Sequence, residues 1–573
     1  MTNGDDEEST PQNGADAIAI RHDALADAEN GKGPSTPSDE QQANGKPDPS
    51  AVTGLPLILL LVAVVLATLQ MALNATVLGT AIPAITDAFH TIDDVGWYSA
   101  AYLISNCVMA PFTGKLFRLF PLKATFLTFI AIFNLGALLG GLSQSSTMLV
   151  VARATAGIGG SGILAGSIVC ISAAVPIARR ALLNGMLMGF FALGQAVGPL
   201  IGGALTTYAS WRWCFYVNLP VGGVVVLFVG FVVKLPAIPS PDRNLPIFDK
   251  IRQIDLVGFF VFALANILLL MGLQWGGTKY TWNSSMVIGL ICGGVVAFLA
   301  TGCWFYHKSQ NALIPTRLFK GRINLTISFT AFAQAGGTII ALYWYPIWFQ
   351  SIKEASSMQS GVMLLPLILS QLFASVIGGG IIQKTGYYLP AIVLGNVLIA
   401  VGSALTTTLT PTADAGKWIG YQILLGAGRG FVLQILVTAM QANVPKADAS
   451  IASTLVMFSQ FFGGAIFSSV AKTVFTDSVK PAIDNFAPDV DPALLINSGA
   501  AELQRIVPTD ELHGVLLAYN QAIQHVFYLQ LAAACCALIA GCGTGWRNLN
   551  RVDQSKNPDG SQAESREKTK TDV

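Results

Sequence analysis

Long apolar blocks separated by short polar connections dominate the chain between residues 56 and 545. A helix needs about 20 apolar residues to cross a bilayer. That ruler predicts spans near 56–80, 95–116, 123–142, 147–170, 181–208, 213–233, 254–274, 285–306, 323–349, 358–382, 387–408, 417–440, 449–474 and 521–545. The pattern is that of an all-α polytopic membrane protein with 14 transmembrane helices. Lys and Arg in short loops set orientation. Lys115, Arg118, Lys123, Arg179, Arg180, Lys234, Arg243, Lys250, Arg252, Lys308, Arg317, Lys320, Arg322, Lys384 and Lys446 fall in alternate connections, whereas the opposite short loops offer little beyond Arg212, Lys279, Lys353 and Lys417. Both termini are therefore expected on the cytoplasmic side.

Composition agrees. Of 573 residues, 53% are hydrophobic and 11% charged, against roughly 25% charged in soluble domains. Net charge is only +1, but the acids Asp5, Asp6, Glu7 and Glu8 lie in an opening stretch rich in Ser, Pro, Gly and Asn. Residues 1–55 and 546–573 are too poor in apolar side chains to offset ordering entropy and are expected to be disordered cytoplasmic tails. The acidic start argues against a cleavable signal, so the first span is expected to direct insertion. Eight cysteines, in or beside apolar spans, show no metal-ligand spacing and read as packing residues.

One outer connection is long. Residues 476–520 carry Asp477, Asp484, Asp489, Asp491, Glu502, Asp510 and Glu511 around a helical-looking stretch at 493–506, and are expected to form a small outer cap. Asn283-Ser284-Ser285 is a glycosylation acceptor sequence in another outer loop, close to the membrane. Asn74-Ala75-Thr76 fits the same pattern, but lies inside the first span.

Polar residues inside the spans are costly and draw attention. Asn74 interrupts the first span. Arg153 and Arg429 are the strongly charged side chains well inside spans, and are expected to face the protein interior or a wet cavity, although Arg153 is near enough to its helix end to snorkel. Gln70, Gln195, Gln334 and Gln434 are suited to hydrogen-bonding a ligand or a neighbouring helix. Tyr343, Trp344, Trp348 and Phe349 are candidates to line a pocket for flat or apolar compounds, or to form an interfacial belt. Gly185, Gly189, Gly194, Gly198 and Gly202 leave one face of the fifth helix almost bare, with Pro199 bending it. The two readings are small-residue packing and a hinge or gasket between moving helix bundles.

The run Gly194-Gln195-Ala196-Val197-Gly198-Pro199-Leu200-Ile201-Gly202-Gly203 closely resembles the antiporter motif of the major facilitator superfamily. Gly114-Lys115-Leu116 with Arg118 and Lys123 resembles the basic loop that latches the cytoplasmic side, and 153–162 resembles the fourth-helix motif. Trp211-Arg212-Trp213-Cys214-Phe215-Tyr216-Val217-Asn218-Leu219-Pro220 is similar to the fourteen-helix drug:H+ antiporter family, particularly its fungal toxin-efflux members. The stretches 343–350, 360–361, 384–388 and 418–422 continue the likeness. The resemblance implies a major facilitator fold of two six-helix bundles, 56–233 and 323–545, with two additional helices within 254–306, a midplane substrate cavity and alternating access. A faint internal repeat relates 157–160 to 426–430. Relatives typically carry Asp where this chain has Asn74, and many carry Glu where it has Asn134. An amide hydrogen-bonds but carries no proton. Asp87, Asp93, Asp94, Asp249 and Asp255 remain, all at helix ends.

The reading is a secondary transporter exporting a small amphipathic compound, such as a toxin, drug or secondary metabolite. Its rivals are a nutrient or iron-chelate importer on the same fold and a transport-dead membrane sensor. No Walker loop, metal cluster or catalytic constellation is present in the sequence, so no cofactor, nucleic acid or enzymatic activity is expected. The expected partners are the substrate, membrane lipid and a proton gradient; a monomer in the plasma membrane is the first choice, and a vacuolar or vesicular membrane the second.

Overall fold

Glycine and phenylalanine, more than hydrophobicity, decide how the spans pair. In the computed structural model the described residues are 54–89, 95–175, 177–232, 246–277, 279–319, 321–445, 448–488, 490 and 511–548. Most of both tails, the 493–506 segment, Asp93, Asp94, Lys234, Arg243, Lys320 and Lys446 lie outside them. Among the described residues, 13 helices are long and apolar enough to cross a membrane. They are α1 (Leu55–Ile82), α3 (Leu122–Gly141), α4 (Ser146–Ala174), α5 (Leu182–Tyr208), α6 (Trp213–Phe231), α7 (Leu256–Trp275), α8 (Ser285–Lys308), α9 (Arg322–Ile352), α10 (Met358–Thr385), α11 (Leu389–Thr406), α12 (Ala415–Ala442), α13 (Ala449–Phe486) and α14 (Leu512–Cys542). The remaining expected span is helix α2 (Val95–Leu119), whose 25 residues suffice in length but include Ser99, Ser105, Asn106, Thr113 and Lys115. Its polarity is sheltered: Asn106, Thr113 and Lys115 are buried.

α4 is the hub of the first half because its glycines are sockets. A Cβ on Gly157 would lie 2.5 Å from the Tyr102 carbonyl of α2, and one on Gly159 2.4 Å from the Phe133 nitrogen of α3. Gly162 and Gly166 receive the rings of Phe129 and Phe126. The fourth-helix motif is thus a packing surface wedged between two helices, with dispersion rather than hydrophobic transfer holding helices whose other faces meet lipid. α12 repeats the device, with Gly426 against the Leu367 carbonyl of α10 and Gly428 against the Gly395 carbonyl of α11. The correspondence extends through the fold. α1 packs on α4, α5 and α6, α2 on α4, and α3 on α4 and α6; equivalently, α9 packs on α12, α13 and α14, α10 on α12, and α11 on α12 and α14. Across the seam α2 meets α13 and α5 meets α10, contacts exchanged by the same correspondence. α7 and α8 pair with each other, and α7 also touches α2 and α13.

The 211–220 string ties the start of α6 to α1 and to the end of α3. Arg212 stacks on Trp211 at 4.4 Å and donates from Nη2 to the Ser143 carbonyl at 3.1 Å. Asn218 caps its own turn through the Cys214 and Phe215 carbonyls, and its carbonyl accepts from Gln70 Nε2 at 3.0 Å. On the other half, Lys353 donates to the carbonyls of Pro411 and Ala413 at 2.7 and 2.8 Å, tying the outer end of α9 to the connection between α11 and α12. Desolvation lowers its pKa, and Asp414 opposes the shift. Cysteines introduced at positions 279 and 490 are expected to react with an impermeant maleimide added to intact cells, and those at 243 and 320 to stay unlabelled. Labelling at 243 would overturn the helix count or its orientation.

Candidate functional site

A cavity of about 850 Å³ lies between the two halves, walled by α1, α2 and α5 on one side and α9 and α10 on the other. Its wall includes Thr206, Thr207 and Tyr208 at the outer end of α5, and Ser356 and Met358 at the outer end of α10. The cavity therefore opens at the end of the bundle where α5 ends and α10 begins, the face expected from the Lys and Arg distribution to be non-cytoplasmic. Its inner part is lined by Arg153, Tyr102, Ala75, Thr76, Gln195 and Tyr343.

Arg153 is 2% exposed and is held by neutral groups. Its Nε donates to the Tyr98 carbonyl at 2.8 Å, and Nη1 donates to the Asn74 carbonyl at 3.1 Å and to the Asn74 amide oxygen. The guanidinium lies 4.5 Å over the Tyr102 ring, a cation–π contact that also shields the charge. Arg153 is thus anchored between α1 and α2 rather than drawn out to the interface. Asn74 itself is fully buried and reaches the cavity only through Arg153.

The other sequence candidates part company. Gln195 and Tyr343 line the cavity. Asn134 does not: its amide oxygen accepts from Gln70 Nε2 at 2.7 Å, and its side chain packs where a Cβ on Gly222 of α6 would come within 2.1 Å. It joins α1, α3 and α6 in an interhelical bond. Trp344 packs on Phe475 at 4.8 Å, and Trp348 donates from Nε1 to Asn520 at 2.8 Å. With Tyr345 and Phe349 these rings belong to the core of the second half, so only Tyr343 of the α9 aromatic run faces the cavity. Gln334 and Gln434 are buried, and the side-chain nitrogen and oxygen of each lack a hydrogen-bond partner. Arg429 lines a separate void of about 20 Å³ with Gln530 and Thr338, and its Nε is likewise unpartnered. Thr76, Thr80, Ser99, Gln350 and Ser360 complete the polar lining that sequence reasoning left unselected. Nothing in a span's polarity says which of its hydroxyls meets a cavity formed by helices far away in sequence.

The bare face of α5 serves two partners. Gly185 and Gly189 meet Ser375 and Leu372 of α10, across the seam between the halves. Gly194, Gly198 and Gly202 instead meet α1, at Ala72, Thr76 and Thr80. The expectation of a gasket between bundles is corrected for the antiporter-like run: its glycines close a joint within the first half. Pro199 removes the amide hydrogen that would bond the Gln195 carbonyl, and both residues face the cavity.

At the opposite end, expected to be cytoplasmic, the two halves are closed on each other. Gly114 lets α2 rest on α13, since a Cβ there would lie 2.1 Å from Thr454 Oγ1, and Ser450 Oγ donates to the Gly114 carbonyl at 3.0 Å. Lys115 donates to the carbonyls of Asn311 and Ala312 at 2.6 and 2.9 Å. Asp448, with its side chain 1% exposed, accepts from Arg118 at 2.9 Å and Arg317 at 2.7 Å. Nearby, Asp255 caps α7 through the Gly258 amide and accepts from Trp304 Nε1 and the Leu313 amide. Asn283 is exposed in the connection between α7 and α8, and Ser284 of the same sequon caps α8 by accepting from the Val287 amide at 3.3 Å.

Residues 64–468 match the model of the Major Facilitator Superfamily. The chain is 43% identical over 511 residues to the MFS-type transporter pigP of Monascus ruber, covering 89% of this chain and 90% of that protein. It is 40% identical over 508 residues to the efflux pump mlcE of Penicillium citrinum, covering 87% and 92% of the two chains. It is 38% identical over 500 residues to the MFS-type efflux pump MFS1 of Trichophyton rubrum, covering 87% and 93%. The crystal structure of the human organic anion transporter MFSD10 (TETRAN) superposes with a TM-score of 0.53 at 13% identity, covering 84% of this chain and 100% of that chain. At that identity the likeness concerns the fold.

Proposed function

Because the chain belongs to the major facilitator superfamily, and so is a multi-pass membrane transporter and not an enzyme, we propose that it exports a small amphipathic compound by alternating access between the helix sets 56–233 and 323–545. The observation that carries this reading is a cavity open at the outer face above closed cytoplasmic ends. An exporter releases its cargo from this arrangement and an importer loads from it, so the geometry carries alternating access and the relatives carry the direction. Relatives named as efflux pumps support the direction, and the plasma membrane is the site where release leaves the cell.

Reaching the opposite state requires α2 to leave α13 and α5 to slide on α10. The first movement breaks the Arg118–Asp448 ion pair, whereas Arg317, which precedes α9 and is not part of α2, is not parted from Asp448 by it. Because Arg118 is partly exposed, screening keeps that pair to at most about 1 kcal/mol. That is a latch easily opened on each cycle. Asp448→Asn is expected to shift the population toward the cytoplasm-open form, read as roughly a 2–5-fold faster modification of thiols placed along the inner cavity. An unchanged rate would remove the latch from the cycle.

With amides at 74 and 134 and, among the described residues lining the cavity, no titratable group except Arg153 and tyrosines, export is weakly coupled to protons. A compound made inside the cell moves largely down its own gradient, with the monomer as the working unit. Untargeted comparison of metabolites inside and outside cells, with and without the protein, tests the reading. The expected result is a compound that shifts from medium to cell when the protein is removed. No such shift under producing conditions would overturn export.

A further inference from the structure

A buried guanidinium without a counter-ion needs an explanation. Arg153 is the one charged side chain among the described residues lining the outer cavity. Its partners are the Tyr98 carbonyl, the Asn74 carbonyl and amide oxygen, and the Tyr102 ring, all neutral. Those bonds use Nε and Nη1, and Nη2 has no hydrogen-bond partner among the described residues. The described acids lie away from it. Asp255 and Asp448 are engaged at the cytoplasmic ends, Asp87 is exposed on the outer side, and Glu354 and Asp414 sit beyond the outer ends of α9 and α11. The cavity therefore carries one uncompensated positive charge in a wall whose other described side chains are all uncharged: aliphatic, aromatic, hydroxyl-bearing, the thioether of Met358 and the carboxamides of Gln195 and Gln350.

We infer that the cavity selects anions, and that its cargo is an amphipathic molecule whose single carboxylate or comparable oxyanion binds the free edge of Arg153 while its apolar body lies against Leu103, Ile339, Leu342 and Tyr343. The volume of about 850 Å³ falls within the range of drug-sized sites. A guanidinium leaves a flat edge of donors that suits an oxyanion. A cation would meet the like charge of Arg153 with no acid to offset it. Two neutral anchors fix the guanidinium in place, so the ligand does not pay to order it. The inference rests on the export reading only for the claim that the bound molecule is moved.

The test uses the full chain in lipid nanodiscs and two xanthene dyes of matched size and opposite charge, fluorescein and rhodamine 123, in equilibrium dialysis at neutral pH. The protein is expected to hold fluorescein at least about tenfold more tightly, the factor that one charge-assisted hydrogen bond supplies. Arg153→Gln is expected to erase the preference, and Arg153→Lys to keep part of it. Gln195→Glu leaves the anchors of Arg153 intact and adds a carboxylate to the same wall, so it is expected to reverse the preference even if Arg153→Gln does not fold. Equal affinities, tighter binding of rhodamine 123, binding of neither dye, or an unaltered preference in Gln195→Glu would each overturn the inference. The same dyes in sealed vesicles separate the two readings. Fluorescein bound but never transported would overturn transport and leave the anion site standing, whereas transport of rhodamine 123 alone would leave transport standing and overturn the anion site.

Discussion

Gly198→Leu is expected to abolish export from a protein that still reaches the membrane. A Cβ at 198 would stand 2.0 Å from Thr76 Oγ1, 3.1 Å from Thr76 Cβ and 3.2 Å from the Val77 nitrogen. The hydroxyl can rotate, but the backbone behind it cannot, so Gly198→Ala is expected to be tolerated better than leucine. The three further carbons of leucine force α5 away from α1, an overpacking cost of about 1–3 kcal/mol. The damage falls where it matters, because Thr76 follows by two residues the Asn74 that anchors Arg153. Gly223 on α6 of the same half is the control, since a Cβ there meets nothing within 4 Å and the residue is exposed away from the cavity lining. Export rates at matched surface expression check the pair: Gly223→Leu is expected to stay within about twofold of the unmodified protein, the range of surface substitutions. Normal export by Gly198→Leu would show that the α1–α5 joint does not move or bear on the cavity.

Asn74→Asp keeps the volume of the side chain and changes one property. The new carboxylate stands where the amide oxygen now meets Arg153 Nη1, so a charge-assisted pair replaces a neutral partner. The positive charge of the cavity is cancelled, and retention of an anionic dye is expected to fall by at least about tenfold. The same variant places a group that can take and release a proton beside the substrate path. Its transport is expected to become sensitive to a protonophore, while the unmodified protein responds weakly. Retained anion binding with no gain of protonophore sensitivity would sever Asn74 from both properties. Uphill, protonophore-sensitive accumulation by the unmodified protein in sealed vesicles would place coupling elsewhere, and Asp255, held by Trp304 and two backbone amides, is the group to replace first.

The amino-acid sequence alone determined what depends on transfer from water to lipid and on local backbone chemistry. Blocks of about twenty apolar residues placed the helices, and the glycines and Pro199 marked where a helix face is bare or a backbone bond is missing. Arg153 was also legible, because a charge at that depth demands a polar or wet environment. Only tertiary structure decided which partner each marked residue meets. Hydropathy says that Gln195, Gln334 and Gln434 are equally out of place, yet one lines the outer cavity and two are buried elsewhere. It says that Tyr343 and Trp344 are neighbours, yet a step of about 100° around α9 turns one to the cavity and the other to Phe475. The run from Gly194 to Gly202 announces a close contact without naming α1 rather than α10 as the helix that makes it. The anion-selective character of the cavity is of the same kind. It arises because α1 and α2 bring only carbonyls, an amide and an aromatic ring to Arg153, and which groups surround a charge is settled by packing between segments distant in the chain.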